Sequence, residues 1–191
     1  MIIISFDVGI RNLAYSIINV NQETVNTHNI IDWDVLDLCE KEKKACNVDN
    51  ITIGINMMKK LDALLENFNI DKVIIENQIG QNAIKMKTVQ GMLNMYFIMK
   101  GFNNDSIINY NAIHKLKRFL NGKKTTYNER KKLSKVITEK LCIIYYKDKL
   151  SYFKSFKKKD DLADCLLQCI DYLKKLEYIN DDFYSQINIF D

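Results

Sequence analysis

MIIISFDVGIRNLAYSIINV, residues 1–20, predicts a β-hairpin at the start of the chain. MIIISFD is a mostly apolar run that ends on Asp7, GIRN has the composition of a tight turn, and LAYSIINV alternates as a second strand does. Residues 25–38 can supply a third strand. Strands joined by short turns are antiparallel, so we expect the first part of the sheet to be antiparallel.

A strand, a helix and another strand follow further along the chain. KVIIE, residues 72–76, is a short run rich in β-branched residues that suits a central buried strand, and Glu76 closes it. Residues 81–100 carry an apolar stripe at helical spacing, and residues 106–110 are expected to form the next strand. Strand, helix and strand at these lengths predict a βαβ unit with parallel strands.

Three more helices are predicted from periodicity and capping residues. The first covers residues 50–68, with an apolar face formed by Ile51, Ile55, Met58, Leu61, Leu65 and Phe68. Thr126 and Glu129 make a capping box at the start of the second, whose apolar positions are Leu133, Val136, Ile137, Leu141 and Ile144. The third begins near Asp161 and is apolar on one face.

Length and composition favour one core. The chain has 191 residues, of which 47% are hydrophobic, and no Pro, Gly or Ser-rich linker divides it. The expected fold class is α/β, with a mixed sheet flanked by helices in a single domain over residues 1–176. In that sheet the N-terminal strands are antiparallel and the later ones parallel. Residues 177–191 are expected to form a polar, poorly ordered tail.

Positive charge is concentrated in one part of the chain. Residues 115–159 contain 16 Lys and Arg against three acidic residues, although the net charge of the whole chain is only +4. Such a block is typical of a surface that binds a polyanion. Lys-rich codon bias is the alternative, but bias alone would spread lysines over the whole surface. The candidate DNA-binding residues are Lys123, Lys124, Arg130, Lys132, Lys135, Lys157 and Lys158.

The cysteines and the N-terminus bear on the cellular compartment. The five cysteines include no CxxC pair and no even framework, which argues against zinc and disulfides. The first residues, MIIISF, are too short to span a bilayer and lack the features of a signal peptide. We therefore expect an intracellular, cytoplasmic protein that makes no membrane contact.

Four acidic residues lie at the tips of otherwise apolar elements: Asp7, Glu76, Asp161 and Asp164. If the strands that end in Asp7 and Glu76 are parallel neighbours, both carboxylates reach the same edge of the sheet. Asp161 and Asp164 share one face of the last helix because they are three residues apart. Carboxylates without imidazole or thiolate suit two Mg²⁺ ions in phosphodiester hydrolysis. Taken singly, Asp7 could be a turn residue and Asp160, Asp161 and Asp164 could be helix-capping acids, whereas Glu76 is the sharper signal; together they favour a metal site.

The sequence blocks that carry these acids resemble a known family. They are FDVGIRN, IIENQ followed by MKTVQGML, TYNERKKLSK and KKDDLADCLLQ. In this order they are similar to the RuvC-like Holliday junction resolvases of the RNase H-like superfamily, and in particular to the poxvirus and mitochondrial branch. The matching blocks span residues 1–20, 72–97 and 124–170, which is roughly half of the chain.

The resemblance implies a role for each acid. Asp7 would be the bridging metal ligand, Glu76 the ligand on the second strand, and Asp161 and Asp164 the ligands on the last helix. Helical position does not choose between Asp160 and Asp161, but the D-x-x-D pattern of the family selects Asp161. Two Mg²⁺ ions are implied for each active site, with Mn²⁺ as a substitute.

A catalytic lysine and a phosphate contact are also candidates. Lys131 occupies the place of the lysine that faces the active site in the family, and Lys124, Lys132 and Lys135 are its alternatives. Gln78 and Asn82 lie in the turn after Glu76 and are able to reach a scissile phosphate. A polar turn before a helix explains those two residues equally well.

The implied activity is a viral-type Holliday junction resolvase, an endodeoxyribonuclease that cleaves four-way and other branched DNA. Paired incisions across a two-fold symmetric junction imply a homodimer, for which the helices at 50–68 and 81–100 are candidate interfaces. An RNase H-like nuclease that cleaves RNA–DNA hybrids would use the same acids and stays open. A non-catalytic nucleic-acid-binding module would lack the acids. An actin-like ATPase would need a second phosphate motif, which the sequence does not contain.

Overall fold

Five strands form one mixed sheet in the computed structural model, which describes residues 1–39, 44–80, 83–120 and 122–187. The strand order is β3-β2-β1-β4-β5. The strands are β1 (Ile2–Asp7), β2 (Leu13–Val20), β3 (His28–Leu36), β4 (Lys72–Glu76) and β5 (Ile107–Tyr110).

The strand directions confirm the predicted mixed sheet. β1 pairs antiparallel with β2, and β2 pairs antiparallel with β3. β1 pairs parallel with β4, and β4 pairs parallel with β5. In the β1–β4 ladder Phe6 lies opposite Ile75, so Asp7 and Glu76 follow at the same end of neighbouring strands.

The turn between β1 and β2 depends on a glycine. A Cβ atom on Gly9 would lie 2.3 Å from the backbone oxygen of Asn12, far inside contact distance. The chain can therefore double back directly after Asp7 only if position 9 has no side chain. The backbone N–H of Leu38 donates to Ile10 O at 2.8 Å, which ties the turn to the segment after β3.

Helices cover both faces of the sheet. They are α1 (Asn50–Leu65), α2 (Ile84–Met99), α3 (Tyr127–Ile144), α4 (Leu150–Ser155), α5 (Lys159–Lys175) and α6 (Asp181–Ser185). Side chains of α1 and α2 pack with Ile4, Phe6 and Ile75 on one face. Side chains of α3, α5 and α6 pack with Ile3 and Ile74 on the other face. Among the described helices, none has both the length and the apolarity to cross a bilayer.

The buried face of α1 differs from the predicted apolar face. Ile53, Met57 and Leu61 are its buried residues, whereas the predicted face residues Ile51 and Ile55 are exposed. The helix carries apolar residues on more than one face, so periodicity alone admitted both solutions. In α3 the capping box at Thr126 is confirmed, but Val136 is exposed where an apolar contact was expected.

The end of the described chain also differs from the expectation of a polar tail over residues 177–191. Ile179, Phe183 and Ile187 are buried in the core beside α5, and the ring of Phe183 stacks on Tyr145 at 4.3 Å between centroids. These three residues recur every four positions, which brings them to one face of the short α6 and its flanks. Residues 188–191 lie outside the described part of the chain.

Candidate active site

The predicted pair of strand-end carboxylates lies at one edge of the sheet. Asp7 ends β1 and Glu76 ends β4, and the two carboxyl groups interact with each other. Loss of hydration and the charge of Glu76 raise the pKa of Asp7 well above its ordinary value. Burial opposes ionisation of Glu76 as well, but Lys115 and hydrogen bonds to the carboxylate lower its pKa. The pair therefore holds a proton more readily than separate carboxyls would.

The acids of α5 approach the same edge from its first two turns. Asp164 interacts electrostatically with Asp7 and Glu76, and burial raises its pKa despite the opposing charge of Lys115. Burial and the neighbouring Asp160 raise the pKa of Asp161. The Oδ2 atom of Asp161 is buried and has no hydrogen-bond partner among the described residues. A buried carboxylate oxygen without a partner is costly, and a bound cation would satisfy it.

Buried polar contacts hold α5 on the sheet. Gln168 Nε2 donates to Ser5 Oγ at 3.1 Å and to Phe6 O at 3.2 Å, next to Asp7. Trp33 Nε1 donates to Leu162 O at 3.0 Å, one residue beyond Asp161. Because these groups are buried, each contact fixes the position of the helix along the strands. The acids of α5 are thereby held in register with the end of β1.

Lys115, which was not among the lysines predicted from the sequence to be catalytic, lies between the acids. Lys115 Nζ is 2.7 Å from Asp164 Oδ2 and 3.4 Å from Glu76 Oε1. Burial disfavours its charge, but Asp164, Asp7 and Glu76 outweigh that effect and raise its pKa. β5 runs parallel to β4, so the chain leaving β5 arrives at the edge where Glu76 lies. The parallel pairing was predictable from the sequence, but it would bring Lys117 to this edge as readily as Lys115.

The segment that carries Lys115 is fastened on both sides. Tyr110 Oη and Arg118 Nε both donate to the buried carboxylate of Asp171 on α5, the latter at 3.1 Å. Leu116 and Phe119 bury their side chains in the core. The backbone of Lys115 is thus fixed to the same helix that carries the acids.

Lys131, the predicted catalytic lysine, pairs with a different acid. Its Nζ donates to Asp160 Oδ2 at 2.9 Å and lies 5.3 Å from the ring centre of Tyr127. The hydrogen bond to Asp160 raises the pKa of Lys131. Asp160, which precedes Asp161 in the chain, is thereby the partner of Lys131. The structure brings Lys131 to the start of α5 and not into contact with Asp7.

The predicted DNA-binding residues mostly face solvent. Lys123, Lys124 and the α3 residues Arg130 and Lys132 are exposed, while Lys135 is partly buried. Exposed lysines also precede α5, at positions 157 and 158. This basic surface, defined by the seven predicted residues, includes both the start of α3 and the approach to α5, on which Asp161 and Asp164 lie.

Gln78 has a structural partner within the site. Its Nε2 donates to Glu76 Oε2 at 2.9 Å, and its backbone N–H donates to Gln90 Oε1 on α2 at 2.9 Å. Gln78 therefore orients the Glu76 carboxylate. From the sequence, Gln78 was a candidate contact to the scissile phosphate. Asn82 and Gln81, at the start of the predicted helix, lie outside the described residues.

The donor set fits a hard divalent cation. Asp7, Glu76, Asp161 and Asp164 offer carboxylate oxygens only, which is the chemistry that Mg²⁺ prefers. One of those oxygens, Asp161 Oδ2, is buried with no partner in the described part of the chain. Within the described residues, no group of three or more His, Cys, Asp and Glu side chains has the geometry of a preformed metal site. The carboxylates of Glu76 and Asp164 are instead turned toward Lys115.

A family model described as "Poxvirus A22 protein" matches residues 1–177 of the chain. The chain belongs to the poxvirus A22 protein family. A curated relative of this A22 family chain is uncharacterized protein L451 of Acanthamoeba polyphaga mimivirus, which is 36% identical over 140 residues. That match covers 62% of the chain and 33% of the relative, so the chain spans about a third of the length of that protein.

Solved structures share the fold of this A22 family chain. The fowlpox virus resolvase in complex with Holliday junction DNA is 25% identical, with a TM-score of 0.63 over 92% of this chain and 99% of that one. The yeast mitochondrial Holliday junction resolvase Ydc2 has a TM-score of 0.64 at 17% identity, over 97% of this chain and 81% of that one. The RuvC structure from Thermus thermophilus has a TM-score of 0.61 at 16% identity, over 93% and 98%. The expected RNase H-like, RuvC-like fold is confirmed.

Proposed function

We propose that the protein is a Holliday junction resolvase, an endonuclease that hydrolyses phosphodiester bonds in branched DNA. The observation that carries the proposal is the convergence of Asp7, Glu76 and Asp164 at one edge of the sheet, with Asp161 next to Asp164 on α5. The buried Oδ2 of Asp161 has no partner among the residues that the structure describes. The similarity to the fowlpox virus resolvase along nearly its whole length supports it. The basic surface next to α5 supplies the electrostatic attraction that DNA binding needs.

The acids would hold the metal. Asp7, Glu76, Asp161 and Asp164 would bind two Mg²⁺ ions, or Mn²⁺ in their place, to activate water and neutralise the leaving oxygen. The residues around them orient the ligands: Gln78 fixes Glu76, and the contacts of Gln168 fix the end of β1. Such orientation matters because metal ligands act at well-defined distances and angles.

Positioning of the DNA is assigned to the basic surface. Exposed lysines at 123, 124, 157 and 158 would contact phosphates, which sets the position of the DNA without reading its sequence. Lys131 would stabilise the negative charge that develops on the scissile phosphate. A cytoplasmic location is part of the proposal and agrees with the five free cysteines.

A homodimer would present two such sites to a symmetric junction. α1 and α2 lie side by side, since Asp62 of α1 accepts from Tyr96 Oη at 2.8 Å and pairs with Lys100 at 2.7 Å. This helix pair exposes large apolar side chains, namely Ile51, Ile55, Met58, Met95, Ile98 and Met99. An exposed apolar area of this kind favours protein contact. We assign the dimer interface to this helix-pair face.

Single-turnover cleavage of defined DNA structures tests the proposal. The purified protein with Mg²⁺ is expected to cut a four-way junction at paired positions, and to cut a linear duplex of the same sequence far more slowly. Asp7→Asn, Glu76→Gln, Asp161→Asn and Asp164→Asn should each abolish cleavage while junction binding in a mobility-shift assay persists. Near-normal cleavage by Asp7→Asn or Glu76→Gln would refute the metal site.

The same assay separates the alternative activities. A 5′ flap and an RNA–DNA hybrid are included as substrates. Faster cleavage of the hybrid than of the junction would assign the protein to RNA–DNA hybrids. Junction binding without cleavage of any substrate, in either Mg²⁺ or Mn²⁺, would leave a binding module.

A further inference from the structure

Lys115 is an almost completely desolvated cation in contact with two of the proposed ligands. Its side chain is 11% exposed, and the side chains of Glu76 and Asp164 are 14% and 21% exposed. Its Nζ atom lies 2.7 Å from Asp164 Oδ2 and 3.4 Å from Glu76 Oε1. A lysine so far removed from water persists only where anions compensate its charge.

A nearby cation in turn stabilises the carboxylates that surround Lys115. Asp7, Glu76 and Asp164 interact with one another, so without a positive charge their mutual repulsion would be poorly screened. Each of them also attracts Lys115. The ammonium therefore takes the electrostatic role that a divalent ion takes in a loaded site.

Lys115 can leave this position without a change in the fold. Tyr110 and Arg118 fasten its segment to Asp171, and Leu116 is buried, so the backbone is fixed independently of the ammonium. The side chain has four methylene groups and can rotate away from a fixed backbone. Displacement then requires a rotamer change and the breaking of its contacts with Asp164 and Glu76.

We propose that Lys115 is a built-in counterion, which occupies the space between Glu76 and Asp164 in the metal-free protein and competes with a divalent ion for those carboxylates. The inference rests on the proposed metal site and deepens it. Metal binding displaces the ammonium from the carboxylates. Lys115 thereby sets the affinity of the free protein for metal, and it limits the repulsion between the acids while no metal is bound.

Calorimetric titration with Mg²⁺, in the absence of DNA, measures the competition directly. Lys115→Met removes the ammonium and keeps an unbranched apolar side chain. If the form with Lys115 displaced is populated at about 1–10%, removal of the competitor should tighten Mg²⁺ binding by about 10- to 100-fold. Lys59→Met is the matched control, because Lys59 is an exposed lysine of α1, away from the acids of the site. It should change the affinity less than about threefold.

Thermal unfolding supplies a second readout that does not depend on catalysis. In EDTA, Lys115→Met should melt below wild type, because the acids lose their counterion. With saturating Mg²⁺ that deficit should shrink or reverse, since metal stabilises the variant more strongly. Lys115→Arg keeps the charge, should melt close to wild type in EDTA, and should bind Mg²⁺ no more tightly than wild type. This variant keeps the test decisive if the Met variant does not fold.

The outcomes distinguish this inference from the proposed function. Equal or weaker Mg²⁺ binding by Lys115→Met would overturn the competition and leave the metal site intact. Tighter binding by Lys115→Arg would also contradict it. If neither folded wild type nor the folded variants bind Mg²⁺ or Mn²⁺, the proposed metal site itself is wrong, and the inference falls with it.

Discussion

Lys131 donates a 2.9 Å hydrogen bond to Asp160, the residue that precedes the proposed metal ligand Asp161. The pair is partly exposed, with 43% of the Lys131 side chain and 24% of the Asp160 side chain accessible. Such a pair adds little to stability, but it restricts where the ammonium can lie. Asp160 therefore holds Lys131 beside the start of α5, where the scissile phosphate is expected.

Removal of either partner should slow cleavage by different amounts. Lys131→Ala should lower the single-turnover rate about 100-fold or more with little change in junction affinity, because a positioned ammonium stabilises transition-state charge. Asp160→Asn should lower the rate about 3- to 10-fold through loss of orientation. Lys132→Ala, on the exposed side of α3, should leave the rate nearly unchanged.

The double variant tests the link between the two residues. If Asp160 acts through Lys131, Asp160→Asn should have no further effect once Lys131 is Ala. Multiplicative losses would instead mean that Asp160 acts independently, for example as a metal ligand in place of Asp161. Loss of junction binding in Lys131→Ala, with normal cleavage at saturation, would make Lys131 a phosphate contact only.

Asp7→Asn should stabilise the metal-free protein, increasingly so as the pH rises. The folded-state pKa of Asp7 is raised above its ordinary value of 3.8, so between the two values the folded state binds more protons than the unfolded state. Stability contributed by this group therefore falls as pH rises through that window. At neutral pH we expect a gain of about 0.5–2 kcal/mol, or roughly 2–4 °C in Tm for each kcal/mol.

Melting curves in EDTA at pH 4, 6 and 8 measure this effect. The difference in Tm between Asp7→Asn and wild type should be near zero at pH 4 and grow toward pH 8. Asp105→Asn, on an exposed loop, should show no such trend. A difference that does not depend on pH would contradict the raised pKa.

The sheet was predictable because its signals are local. The hairpin in residues 1–20 and the β-branched run at 72–76 each specify a strand, and crossover rules then set the parallel pairing. The buried face of α1 was not predictable, because its apolar residues fit two different faces of the helix. In the structure, Ile53 and Met57 are buried. Hydrophobic spacing does not distinguish a core face from a second apolar face.

The acids of the site were predictable, whereas their contacts were not. Asp7 and Glu76 stand out as lone carboxylates at the ends of apolar strands. Lys115 contacts residues 39 and 49 positions away along the chain, and nothing in the local sequence separates it from other lysines of the basic block. The pairing of Lys131 with Asp160 likewise depends on how α3 and α5 pack.

The salt dependence of junction binding should report the basic surface. Each phosphate neutralised contributes about −0.9 to the slope of log affinity against log salt. Lys157→Gln with Lys158→Gln should therefore reduce the slope by up to about 1.8. Lys59→Gln with Lys60→Gln, another adjacent exposed pair but on α1, should leave it unchanged. Equal slopes for all three proteins would mean that Lys157 and Lys158 do not contact the DNA.

Charge on the helix-pair face should separate the proposed dimer. Ile55 is 44% exposed on α1, and Ile55→Lys would bury an unpaired ammonium at the interface. Sedimentation or light scattering should then detect monomers, and paired incision should give way to single nicks. Ile143→Lys is the matched control, since Ile143 is 48% exposed on α3. A dimer that survives Ile55→Lys and Met95→Lys together would place the interface elsewhere.

Asp171→Ala should damage both stability and catalysis. Asp171 is 4% exposed and accepts hydrogen bonds from Tyr110 and Arg118, the residues that flank Lys115. Its removal leaves the buried hydroxyl of Tyr110 and the guanidinium of Arg118 without their acceptor. Because Arg118 is partly exposed, we expect a cost of about 2–3 kcal/mol, below that of a fully buried pair. Urea unfolding measures it.

The cleavage rate distinguishes an effect on the position of Lys115 from a general loss of stability. With the segment of Lys115 loosened, single-turnover cleavage at saturating junction should fall by more than the loss of folded protein accounts for, while junction affinity changes little. Asp181→Ala removes an exposed partner of Lys174 and should alter neither stability nor cleavage. Asp171→Asn, which keeps an acceptor for Tyr110, should lie between wild type and Ala. An Ala variant that unfolds more easily but cleaves normally when folded would show that Asp171 supports the core and not the position of Lys115.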